Sequence, residues 1–86
     1  MPATTVTQEQ FQKIKDETYI LPDDEMTTEF RRFLSDTGIE VRVRNHPITN
    51  FDYIFYTKDL QAVSLSINLK ESGNSAIPIV KQLFKL

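Results

Sequence analysis

Apolar positions in this chain recur first at helical spacing and then by strict alternation, and the switch falls at Gly38. Thr7 and Gln10 stand three apart, the spacing of a capping box: the Thr hydroxyl accepts from the third helical N–H and Gln reaches back. A first helix then runs to about Glu17, with only Phe11 and Ile14 on its apolar stripe, so it is stable only where it packs. Leu21 precedes Pro22 and is therefore extended. A second helix is predicted from about Asp23 to Ser35, because Met26, Phe30, Phe33 and Leu34 share one face. Three acids open it, Arg31 and Arg32 lie nearer its end, and Gly38 supplies a left-handed stop.

Beyond Gly38, Ile39, Val41 and Val43 alternate with Glu40, Arg42 and Arg44, which is the signature of a half-buried strand. Residues 45–50, with His46, form a loop. An aromatic-rich strand over Phe51–Thr57 follows, then Lys58-Asp59 as a connection of hairpin length, then a strand from Leu60 to Lys70. The last segment, Ala76 to Leu86, reads as a helix with Pro78 in its first turn, where a missing N–H costs nothing. A strand over Ile77–Val80 is the alternative. The expected fold is α+β in the order α-α-β-β-β-α, a three-stranded antiparallel meander with helices packed on one face. This order also occurs in double-stranded RNA-binding domains, whose Lys-rich start to the last helix is missing here. Residues 1–6 are expected to be disordered, and 7–86 to form a single domain.

Composition narrows the class. The chain has 86 residues, 26% of them charged, and no Cys, so no disulfide supports so small a core. No apolar run approaches the ~20 residues of a membrane span. The expectation is a soluble protein of the cytoplasm, without membrane association. Net charge is −2, which does not suit tight non-specific binding to nucleic acid. That charge is uneven: residues 1–36 hold eight acids and four bases, whereas 37–86 hold four acids and six bases.

Two surfaces stand out. With Tyr53 and Phe55 turned inward, the opposite sheet face carries Arg42, Arg44, Ile54 and Tyr56 among Glu40, Ser64 and Ser66. That face is either solvated, or a recognition surface of the Tyr and Arg composition found at interface hot spots, or the seat of the first helix. The second surface is the acidic stretch from Asp16 to Glu29, which includes Asp23, Asp24 and Glu25. Its carboxylates match a helix start, and they would also steer a basic partner. Catalytic groups are sparse. His46 is the single histidine, and Gly38 and Gly73 cannot make a phosphate-cradling loop. The expected function is that of a non-enzymatic protein-binding module, an inhibitor, adaptor or regulator of a larger protein, with no cofactor and no metal. Its expected sites are Arg42, Arg44, Ile54 and Tyr56 on the sheet, and Asp23, Asp24 and Glu25 on the acidic side. The alternatives are RNA binding through the Arg/Tyr face and a homodimer or larger homo-oligomer.

Overall fold

The computed structural model describes residues 2–44 and 52–86. The loop expected over 45–50, with His46, and the first residue of the aromatic strand, Phe51, lie outside them. The chain opens with a short strand, β1 (Thr4–Thr5), and helix α1 (Gln8–Glu17). The capping box forms as the spacing requires: Gln10 N–H donates to Thr7 Oγ1 at 3.0 Å, and Thr7 N–H to Gln10 Oε1 at 2.9 Å. A second short strand, β2 (Tyr19–Ile20), leads into a single 3-10 turn at Asp23–Glu25.

The next helix, α2 (Thr28–Thr37), starts five residues later than its apolar stripe suggested. Thr27 is the reason. Its backbone is extended and its hydroxyl accepts from Phe30 N–H at 3.0 Å, taking up an orphan donor at the helix start. The three acids close their own turn instead, with Met26 N–H donating to Asp23 O at 3.1 Å. Gly38 ends α2 in the left-handed region, φ +75°, and its N–H donates to Leu34 O.

Three strands then form the expected antiparallel meander: β3 (Glu40–Arg44), β4 (Asp52–Tyr56) and β5 (Gln61–Leu65). Four residues separate β4 from β5, and three of them, Lys58 to Leu60, lie beyond the Thr57–Gln61 pair, rather than the expected two. Thr57 N–H donates to Gln61 O, and Leu60 takes φ +60°, the left-handed third residue that such a link needs. β5 stops at Leu65, short of the expected Lys70. The Asn68 side chain caps a one-turn helix, α3 (Leu69–Ser72), by accepting from the Lys70 and Glu71 N–H groups. The last helix, α4 (Ala76–Leu83), holds Pro78 in its first turn.

β1 pairs with β5 and β2 with β3, so the described sheet has five strands in the order β1-β5-β4-β3-β2. The first residues of the chain take part in this sheet and its surroundings. Thr4 and Thr5 pair with Ala62 and Gln61, and Ala3 and Val6 are tied to Leu83 O and Leu60 O. The core lies between one sheet face and α2 with α4. Val41, Val43, Tyr53, Phe55 and Val63 meet Phe30, Phe33, Leu34, Ala76 and Val80. Phe30 and Phe55 are fully buried with ring centroids 6.3 Å apart, and each contributes about 2–3 kcal/mol by leaving water.

A Cβ built at Gly38 meets nothing within 4 Å, so Gly38→Ala introduces backbone strain alone. We expect a loss of about 1 kcal/mol, read as a lower urea midpoint with an unchanged slope.

Candidate functional site

The register places the expected face on one side of the sheet. Glu40 lies opposite Tyr56, Arg42 opposite Ile54, and Ile54 opposite Ser64. The centre of that face is covered, at Ile54 and Tyr56, while Glu40, Ser64 and Ser66 stay exposed. β1 and β2 are at opposite edges, and α1 connects them. Neighbouring strands are about 4.8 Å apart, so the two edges are separated by about 19 Å. Ten helical residues reach about 15 Å, and Val6, Thr7 and Thr18 complete the crossing. With α2 and α4 on the core face, α1 crosses the other. Of the three readings open for this face, the structure takes the one that seats the first helix there.

The contacts follow from that crossing. Phe11 meets Tyr56 edge to face, with ring centroids 5.0 Å apart, and Lys15 Nζ lies 4.7 Å from the Phe11 ring centroid. Tyr56 and Ile54 are 8% and 5% exposed, so both side chains are buried under α1 rather than open to solvent. Arg42 closes the C-terminal end of α1. Its Nε donates to Thr18 Oγ1 at 2.7 Å, and its Nη2 to Thr18 O at 3.0 Å and Lys15 O at 3.4 Å. A cation there is favoured by the helix dipole as well as by the unfilled carbonyls. Arg44 pairs with Glu17 at 3.2 Å, with both side chains nearly half exposed, so this pair adds little stability. Burial raises the Tyr56 phenol above its ordinary pKa. Its hydrogen bond to Glu40 and the charge of that carboxylate add to the rise, while Arg42 opposes it.

The acidic side has a different character. Asp23 and Asp24 are exposed and Glu25 is half-buried. Beside them β2 forms an end of the described sheet, and its Ile20 is 71% exposed. A groove of about 450 Å³ adjoins it, with an apolar lining that includes Ile20, Leu21, Met26, Leu34 and Ile39. Asp23, Arg31 and Glu40 are its charged members. The groove thus combines apolar side chains with two acids and one base. The strand Tyr19–Ile20 is absent from the sequence reading, although two β-favouring residues between a helix end and the extended Leu21-Pro22 pair were a signal for it.

Among the described residues, no group of three or more His, Cys, Asp or Glu side chains is placed to hold a metal ion, and no helix is long and apolar enough to cross a membrane. No family model, curated protein or solved structure matches the chain.

Two outcomes test the seat of α1. Arg42→Met keeps an apolar stem but removes the fork, and should cost about 1.5 kcal/mol. Amide exchange should rise in α1 while the Phe55 region stays protected. The raised Tyr56 pKa carries a pH signature. Below about pH 10 the phenol is neutral in folded and unfolded chains alike; above it the unfolded chain ionises first. Stability therefore falls as pH climbs from about 10 through the folded value. Tyr56→Phe should reduce that slope in urea titrations, leaving the part due to Tyr53, which burial also raises.

Proposed function

We propose that this chain is a small non-enzymatic protein-binding module, an inhibitor, adaptor or regulator of a larger partner, which it engages through the acidic end of the sheet. The observation that carries this reading is Ile20. A β-branched apolar side chain stands 71% exposed on the end strand of the described sheet, where its burial would contribute about 2 kcal/mol. Asp23 and Asp24 beside it add long-range selection, since exposed charge acts mainly on the rate of encounter. Arg42, Arg44, Ile54 and Tyr56 support the same site from within, by holding α1 and hence the approach to β2. RNA binding through that face finds less support, because its stacking residue Tyr56 lies against Phe11.

The test compares partner capture by the intact chain and by surface variants. Ile20→Ala and the double change Asp23→Lys/Asp24→Lys should each reduce capture of the same partner by about tenfold or more. Ile79→Ala, at another exposed apolar position, should not. Equal capture by the β2-end variants would overturn this reading.

A further inference from the structure

We propose that α1 is a displaceable cover. It lifts from the sheet while β1 and β2 stay paired, and the face beneath then takes a helix from a protein partner. That helix carries an aromatic residue, an apolar residue three positions on and a carboxylate six positions on. The inference does not depend on Ile20 or on the acidic turn.

The hold on α1 is slight. Phe11 and Ile14 are half-buried, and every other residue of the helix is exposed. Ile54 and Tyr56 beneath it are better buried than anything that covers them. The capping box and the Arg44–Glu17 pair both stand at the surface. A helix of ten residues is marginal in water without packing, and elements held this way open locally while the rest stays folded.

The ends of α1 are tied separately from the helix. Thr4 and Thr5 pair with β5, and Val6 N–H donates to Leu60 O at 2.8 Å. Tyr19 and Ile20 pair with Val43 and Arg42. From Val6 to Thr18 an extended chain reaches about 40 Å, roughly twice the span between the sheet edges. Residues 7–17 can therefore bow clear of the face with both pairings kept.

What α1 leaves behind sets the chemistry of the occupant. Tyr56 loses its edge-to-face contact with Phe11, Arg44 loses Glu17, and Arg42 loses Lys15 O. Phe11, Ile14 and Glu17 follow one another at intervals of three, on one side of a helix. A partner helix with that pattern restores the ring contact, the apolar cover and the ion pair together. Nucleic acid is a poorer fit. Glu40 and Asp52 share the face with Arg42 and Arg44, and acids that match the bases leave a phosphate backbone no net attraction.

The experiment uses the full chain, isotope-labelled. In native-state hydrogen exchange the amides from Phe11 to Glu17 should share one opening, with protection about tenfold lower than at Val6 or Phe55. Protection of α1 equal to that of Phe55 would overturn the cover. The binding probe is an alanine-rich helical peptide with Phe, Ile and Glu at the spacing of Phe11, Ile14 and Glu17. It should shift the resonances of Ile54 and Tyr56. It should bind Phe11→Ala/Ile14→Ala about tenfold more tightly than the unaltered chain, because that variant populates the open form. Thr7→Ala, which loses only the cap, should gain about fivefold, and it decides alone if the double variant does not fold. A peptide with Ala in place of Phe and Ile should not bind. Equal affinity for all the chains overturns displacement. Equal binding by the Ala peptide, or capture of single-stranded RNA by the variants in place of the peptide, overturns the occupant.

Discussion

One connection governs this structure: the chain leaves the sheet at β1, on one edge, and re-enters at β2, on the other. The link between those points must cross the intervening strands. It cannot use the face already occupied by α2 and α4, so α1 lies across the opposite face. The consequences reach most of the molecule. Ile54 and Tyr56 are buried by a helix that has no fully buried residue of its own. Arg42 becomes the cap of that helix. Arg44 becomes the partner of Glu17. The centre of that face, Ile54 and Tyr56, becomes a seam under α1, with Glu40, Ser64 and Ser66 left exposed around it.

That constraint also explains why β4 was ambiguous in sequence. A strand buried on one side alternates cleanly, as Val41 and Val43 do against Arg42 and Arg44. β4 is the centre of five strands, with Tyr53 and Phe55 against α2 and α4, and Ile54 and Tyr56 under α1. A strand covered on both sides reads as a continuous apolar run. Four successive large apolar or aromatic residues were thus a statement about layers, not about which face is inside. The sparse stripe of α1 belongs to the same account: Phe11 and Ile14 need only cover a seam that is partly polar.

Much of the fold was legible because local chemistry and tertiary packing agree. The Thr7–Gln10 capping box, the Gly38 stop, the alternation of β3 and the place of Pro78 in α4 each follow from neighbouring residues alone. The departures arise where a small polar side chain decides a boundary against a longer apolar pattern. Thr27 caps α2 and leaves Asp23–Glu25 in a separate turn. Asn68 caps α3, so the alternation that continues through Ile67 and Leu69 ends as packing against the core rather than as strand. The two-residue strands were hard to place for another reason, with only a short β-favouring pair to mark β2. Their existence depends on what lies across from them, Ala62 and Gln61 for β1 and Val43 and Arg42 for β2, and no local period records a partner so far along the chain.

The candidate site divides along the same line. Asp23, Asp24 and Glu25 were found by charge, which needs no fold to be seen. Ile20 was not, because its significance is positional: an apolar residue matters for binding only once the strand that holds it is known to be terminal. The two ends of the sheet then differ in a way that stability alone does not require. Either strand could have been built from Thr, as β1 is, and Thr suits a strand as well as Ile does. A domain of 86 residues has little burial to spare. Leaving Ile20 in water beside an apolar groove forgoes burial that so small a core could use.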